Sequence, residues 1–110
     1  MTISKSISLV VKKANLTSEM LADKIRSKRN LIEINVGTNK LESLPRLVTF
    51  APHSESLKSL NLEFNSISTL PNDIFDMLPN LVFFSVRGNK LQRLPTSLLG
   101  LDLLHTLDVA

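Results

Sequence analysis

Three asparagines, Asn39, Asn65 and Asn89, sit in one repeated frame that restricts the fold more than any other feature of the chain. Each is followed two residues on by Leu41, Ile67 or Leu91, and six residues on by Pro45, Pro71 or Pro95. Ahead of them the chain reads L-x-x-I-x-V-x-x-N-x-L over residues 31–41, L-x-x-L-x-L-x-x-N-x-I over 57–67 and L-x-x-F-x-V-x-x-N-x-L over 81–91. A fourth copy opens at Leu104-His105-Thr106-Leu107-Asp108-Val109 and runs to the last residues of the sequence. The starts at 31, 57, 81 and 104 are 26, 24 and 23 residues apart. Such a period implies stacked coils, each touching only its neighbours, and an extended surface in place of an enclosed pocket.

Gly37-Thr38-Asn39-Lys40-Leu41-Glu42-Ser43-Leu44-Pro45 and Arg87-Gly88-Asn89-Lys90-Leu91-Gln92-Arg93-Leu94-Pro95 are nearly one segment written twice. On these residues the chain resembles the leucine-rich repeat family, closely over 31–110 and more weakly over 6–30. The resemblance implies an α/β solenoid, with a curved parallel sheet on the concave face and short helices or 3₁₀ turns on the convex face. It also implies that partners dock on the concave sheet. Secreted relatives in that family usually carry disulfide-bonded flanks, and this chain has no cysteine.

Within each copy the L-x-L core alternates with period two, which is a strand. Leu31, Ile34 and Val36 are expected inward, then Leu57, Leu60 and Leu62, Leu81, Phe84 and Val86, and Leu104, Leu107 and Val109. After the strand the backbone turns sharply and strands polar groups inside. An Asn side chain holds both donor and acceptor, so Asn39, Asn65 and Asn89 are expected to satisfy those groups in their own turn and the next. They are read as a structural ladder, not as catalytic groups. The Leu-Pro pairs end each turn because proline lacks an N–H to extend a sheet. Short helical turns are expected at 73–78 and 97–101, and an irregular link around Ala51-Pro52-His53-Ser54.

The division that follows is a degenerate N-terminal repeat or cap at 1–30, then repeats at 31–56, 57–80 and 81–103 and a truncated one at 104–110. In the first unit, Leu9 and Val11 are taken as the inward pair, with Ala14 at the Asn position. The alternative uses Ile7 and Leu9 with Lys12 at that position. Thr17-Ser18-Glu19 opens an amphipathic helix with Met20, Leu21 and Ile25 inward. Its acids Glu19 and Asp23 come early, and Lys24, Arg26, Lys28 and Arg29 come late, as the helix dipole favours.

The strand positions between the buried ones form an outward row: Ser8 and Val10, Glu33 and Asn35, Ser59 and Asn61, Phe83 and Ser85, Thr106 and Asp108. Lys12, Gly37, Glu63 and Arg87 lie just beyond. From this row Glu33, Asn35, Ser59, Asn61, Glu63, Phe64, Phe83, Ser85, Arg87, Thr106 and Asp108 are the expected protein-binding residues. Phe83 is the anchor candidate, since a large aromatic on a polar sheet suits a hot spot. Its competitors are a register slip that buries Phe83 and exposes Phe84, and simple packing against Arg87. Phe64 could join Phe83 on the ascending edge, but partial burial in its turn is the first expectation.

Charge is uneven: residues 1–30 hold seven Lys/Arg against Glu19 and Asp23, and 31–110 hold six against eight acids. The cluster Lys24-Ile25-Arg26-Ser27-Lys28-Arg29 reads first as a solvated helix end and second as a contact for an anionic surface. His53 and His105 are isolated, and Asp73 and Asp76 form a surface pattern, so neither catalysis nor a cofactor or metal is implied, and no nucleic acid is expected. No apolar stretch reaches the roughly 18 residues of a membrane-spanning helix. Nor do residues 1–12 read as a signal peptide. With no cysteine, a cytoplasmic setting is expected, the nucleus being the alternative. In that setting the sequon Asn15-Leu16-Thr17 is coincidence. The copy at 104–110 lacks its Asn, which points to continuation into further repeats or to self-association through that edge. The function expected is a non-enzymatic module binding a protein partner. The alternative is a regulatory or targeting segment of a larger intracellular signalling protein, docked by the basic helix.

Overall fold

The structure is a computed structural model that describes residues 8–109; Ile7 of the alternative first register lies outside them. Five three-residue strands, β1 (Ser8–Val10), β2 (Glu33–Asn35), β3 (Ser59–Asn61), β4 (Phe83–Ser85) and β5 (Thr106–Asp108), form one parallel sheet in the order 1-2-3-4-5. Leu9, Ile34, Leu60, Phe84 and Leu107 face one another in register. Leu9 pairs with Ile34, Val11 donates its N–H to Asn35 O, and Leu16 is fully buried, so the first coil uses Leu9 and Val11.

The inward residues of 31–86 form the core as the alternation requires, from Leu31, Ile34 and Val36 through Leu57, Leu60 and Leu62 to Leu81, Phe84 and Val86. The return segments close it from the convex side. The 3₁₀ segment Leu47–His53 contributes Phe50, and helix α2 (Ile74–Met77) contributes Ile74 and Phe75. Phe75 meets Phe84 edge-to-face, with ring centroids 4.9 Å apart and planes at 87°. That geometry sets the positive ring edge against the negative ring face. A second 3₁₀ segment, Thr96–Gly100, covers the next coil. The link expected to be irregular is thus ordered through His53, with Pro52 tolerated because a 3₁₀ turn there needs no N–H from it. In the last coil Leu107 and Val109 remain 39% and 51% exposed, lacking the cover that an adjacent coil supplies elsewhere.

The asparagines hold the turns together. Asn65 Nδ2 donates to Leu62 O (3.0 Å) and Glu63 O (3.2 Å) in its own coil and to Val36 O (3.1 Å) one coil earlier, while its Oδ1 accepts from Leu41 N (3.1 Å). Asn89 repeats this with Val86 O, Arg87 O, Leu62 O and Ile67 N, and Asn39 with Val36 O, Gly37 O, Val11 O, Ala14 N and Leu16 N. Each therefore reaches back to the preceding coil, the reverse of the forward reach expected, because the turn brings its amide under the carbonyl that leaves the earlier strand.

Helix α1 (Ser18–Arg26) starts at Thr17, whose Oγ1 accepts from Met20 N (3.3 Å). It buries Leu21, Ala22 and Ile25, whereas Met20 is 44% exposed, contrary to its expected inward place. The i, i+4 pair Leu21–Ile25 sets the buried stripe, and Met20 lies a hundred-degree step off it. Lys28 and Arg29 fall beyond the helix end. The helix is fastened by His53, which is fully buried: Nδ1 accepts from Leu31 N (3.0 Å), leaving Nε2 to donate to Ile25 O (3.1 Å). A neutral ring protonated on Nε2 meets both needs.

Two outcomes follow. Asn65→Ala orphans Leu41 N–H and removes one of two donors from Val36 O, Leu62 O and Glu63 O, which keep Asn39, Asn89 and Thr38 N. It should lower unfolding free energy by about 1–3 kcal/mol in urea titrations. Substitution at exposed Lys40 should move it by less than about 0.5 kcal/mol. His53→Phe keeps a ring of similar size but leaves Leu31 N–H without a partner and Ile25 O with only Lys28 N, at about 1–3 kcal/mol for the orphaned donor. Hydrogen exchange should then show faster exchange at Leu31 and along α1, and unchanged protection there would contradict the assignment.

Candidate functional site

The outward row lies on one face because side chains alternate along each strand. By register, Ser8, Glu33, Ser59, Phe83 and Thr106 make one line across the sheet, and Val10, Asn35, Asn61, Ser85 and Asp108 make the next. These residues are not equally available. Phe83 is partly buried on this face while Phe84 is wholly buried, so no register slip occurs. Glu33, Asn35, Ser59, Asn61 and Glu63 are partly exposed, Thr106 is exposed, and Val10 is the most exposed apolar residue of the row.

Ser85 is fully buried, so it offers no docking surface. Its Oγ accepts from Arg87 N (3.4 Å) and donates to Glu63 Oε2 (3.4 Å). The same inward use of polar groups recurs in the row. Asn35 Oδ1 accepts from Gly37 N (3.2 Å), Asn61 Oδ1 accepts from Glu63 N (2.9 Å), and Asn61 Nδ2 donates to Glu63 Oε1 (3.2 Å). A short side chain with an acceptor two residues before the sharp turn caps the backbone there. The centre of the row is thus preorganised by its own hydrogen bonds. Arg87 leans over it toward Asp108, Nη1 to Oδ2 3.9 Å, as an exposed pair.

Phe64 departs furthest from expectation: it is 52% exposed, not tucked into its turn. Its backbone is left-handed at φ 53°, as are Lys13 (53°), Thr38 (56°) and Gly88 (73°). These four residues directly precede positions 14, 39, 65 and 89, so one left-handed residue recurs in every complete turn. Such a conformation costs a non-glycine residue about 1–2 kcal/mol. The cost is offset by bonds to the neighbouring coil: Lys13 N to Thr38 O (2.8 Å), Thr38 N to Glu63 O (2.8 Å) and Phe64 N to Arg87 O (2.7 Å). Only the repeat frame hinted at this, through the single glycine at 88. Since three coils accept side chains at that φ, the demand for glycine at 88 has a second cause. A Cβ there would lie 2.3 Å from Cδ1 of Phe64, whose ring rests on the glycine.

The basic cluster spreads over two elements, Lys24 and Arg26 on α1 and Lys28 and Arg29 after it, and Arg26 pairs with Asp23 at 2.6 Å. Residues 68–76 and 90–97 flank an open groove of about 950 Å³ that contains Asp73, Asp76, Lys90 and Arg93. Among the described residues no group of His, Asp and Glu is placed to hold a metal ion, and no helix is long and apolar enough to cross a membrane.

Sheet, staples and return turns define a repeat solenoid, and a family profile described as leucine rich repeat matches residues 55–110. The chain belongs to the leucine-rich repeat family. It is 35% identical over 95 residues to osteomodulin of Bos taurus, covering 86% of this chain and 21% of that protein. It is 33% identical over 72 residues to fibromodulin of Sus scrofa, covering 66% and 46%. It is also 37% identical over 94 residues to the probable serine/threonine-protein kinase pats1 of Dictyostelium discoideum, covering 74% and 3%. The chain thus spans about a fifth of the length of osteomodulin. No solved structure matches it.

Gly88→Ala should lower stability by about 1–3 kcal/mol, as overpacking does. In a Phe64→Ala background the same change should cost clearly less. A double-mutant cycle measured by denaturant titration reads the difference, and a coupling near zero would remove the ring as the reason for the glycine.

Proposed function

We propose that the chain is a non-enzymatic protein-interaction module that engages a protein partner through its concave sheet. The observation that carries this reading is the in-register outward row on five hydrogen-bonded strands, with Phe83 on the fourth of them between Ser59 and Thr106. Because Asn35, Asn61 and Ser85 are already tied to their own backbones, docking orders few side chains and loses little conformational entropy. A partly buried aromatic among small polar residues gives an anchor surrounded by groups that exclude water. Glu33, Ser59, Asn61, Thr106 and Asp108 then set specificity by hydrogen bonding around it. Membership of the repeat family supports a protein partner. The activities of the longer relatives, including the kinase named above, belong to those proteins.

The second reading, docking of the basic N-terminal segment on an anionic surface, draws on exposed Lys24, Lys28 and Arg29. The two separate by salt: contacts among exposed charges weaken as the screening length shrinks, whereas an aromatic anchor is little affected. Affinity capture with the unmodified chain and with Phe83→Ser should show specific partners lost from the variant and retained at about 0.5 M salt. A captured set that is the same for both chains would remove the concave face from the interaction. Capture abolished by neutralising Lys28 and Arg29 would favour the basic segment.

A further inference from the structure

The turns that leave the sheet carry a surface of their own. In every complete coil, a left-handed residue and the residue after the ladder position project along one edge, and hydrogen bonds such as Thr38 N to Glu63 O and Phe64 N to Arg87 O stack these turns in line. Along that edge lie Lys12 and Lys13 in the first coil, Lys40 in the second, Phe64 in the third, and Arg87 and Lys90 in the fourth, all exposed. Lys40 and Lys90 hold equivalent places, each directly after a ladder asparagine, one coil to either side of Phe64. Residues 31–110 carry more acids than bases, yet this edge is basic. Of the acids near it, Glu63 is turned onto the concave face by Asn61 and Ser85, and Asp108 is paired with Arg87. Among the described residues the ion pairs are Arg26–Asp23 and Arg87–Asp108, so the four lysines are in neither. Phe64 is held out into solvent because its φ is positive and its ring is seated on Gly88, not in the core.

We propose that this edge is a docking ridge for an extended acidic segment of a protein partner, with an apolar side chain laid on Phe64 between carboxylates that meet Lys40 and Lys90. The proposal rests on reading the chain as a protein-binding module, and it adds a second contact beside the strands. Spacing sets the partner's pattern. Adjacent coils are about 4.8 Å apart, so Lys40 and Lys90 are separated by roughly 10 Å, and an extended peptide rises about 3.3 Å per residue. Because only every second side chain of an extended peptide faces the ridge, acids four residues apart, about 13 Å, fall within reach of both flexible lysines and put the residue midway between them over the ring. Further acids on the side toward the first coil meet Lys12 and Lys13. Ammonium groups act as adaptable point charges here, so the ridge selects charge and spacing more than one fixed carboxylate geometry.

The test uses the unmodified chain and two synthetic peptides. One carries a Glu-Ser-Leu-Ser-Glu block flanked by Gly-Ser, and the other has both Glu replaced by Gln. In ¹⁵N-resolved NMR titrations, the acidic peptide should shift the amides of Lys40, Phe64, Gly88 and Lys90. It should bind at least about fivefold more tightly than the Gln peptide, and weaken as salt rises. Lys40→Gln with Lys90→Gln, and separately Phe64→Ser, should each raise Kd several-fold, while Arg46→Gln, at an exposed base on a return segment, should not. Equal binding of the two peptides, or shifts confined to the strands, would overturn the ridge. So would a single-stranded oligonucleotide of equal charge that displaces the acidic peptide at lower concentration, since the surface would then be a general polyanion site. Loss of peptide binding together with Phe83-dependent partner capture would sink the ridge and leave the concave reading standing.

Discussion

The fold depends on one problem, the backbone polar groups left inside at every sharp turn after a strand, and on one side chain that solves it. Asn65 is 7% exposed and spends both ends of its amide on main-chain groups in two coils. The strands are only three residues long, too short to order a sheet through their own ladders. The asparagine staples extend that ladder around the corner, where an apolar residue would leave donors and acceptors buried and unpaired. Because each staple reaches the previous coil, it fixes both the shape of one turn and the alignment of two.

The staples also allow the left-handed residue that precedes them. Thr38 and Phe64 occupy a conformation that a β-branched or bulky residue ordinarily avoids. Their N–H groups and the adjacent asparagine over-determine the turn, so the strain persists. Its effect is to point side chains outward at the sheet edge. For Phe64 the result is an exposed aromatic on a glycine seat. A rigid interior thereby dictates which groups the surface offers, and leaves little for a partner to reorganise on binding.

A similar division of labour runs along the concave face. Three of its polar side chains, Asn35, Asn61 and Ser85, are committed to the protein's own backbone, and the remainder, with Phe83, form a smaller surface than a count of outward positions implies. The N-terminal helix is joined to the stack by His53, a residue with no motif around it. Its role arises because the Leu31 N–H and the Ile25 carbonyl converge on one buried spot from different elements.

How far the sequence could be read depended on how far apart the interacting groups lie. Strand alternation and the spacing of Asn39, Asn65 and Asn89 are local patterns, since a period of two and a turn at fixed offset are written in consecutive residues. From them the parallel solenoid, the inward residues of the complete coils, the first-coil register at Leu9 and Val11 and the return turns were all legible. The burial of Ser85, the exposure of Met20 and Phe64, the backward reach of the asparagines and the work of His53 were not. Met20 follows from which stripe of its helix is buried; each of the others depends on an atom about one coil away in sequence but in contact in space, such as Glu63 beside Ser85 or the ring of Phe64 over Gly88. Periodicity specifies what repeats; the differences between neighbouring coils emerge when the coils are packed together.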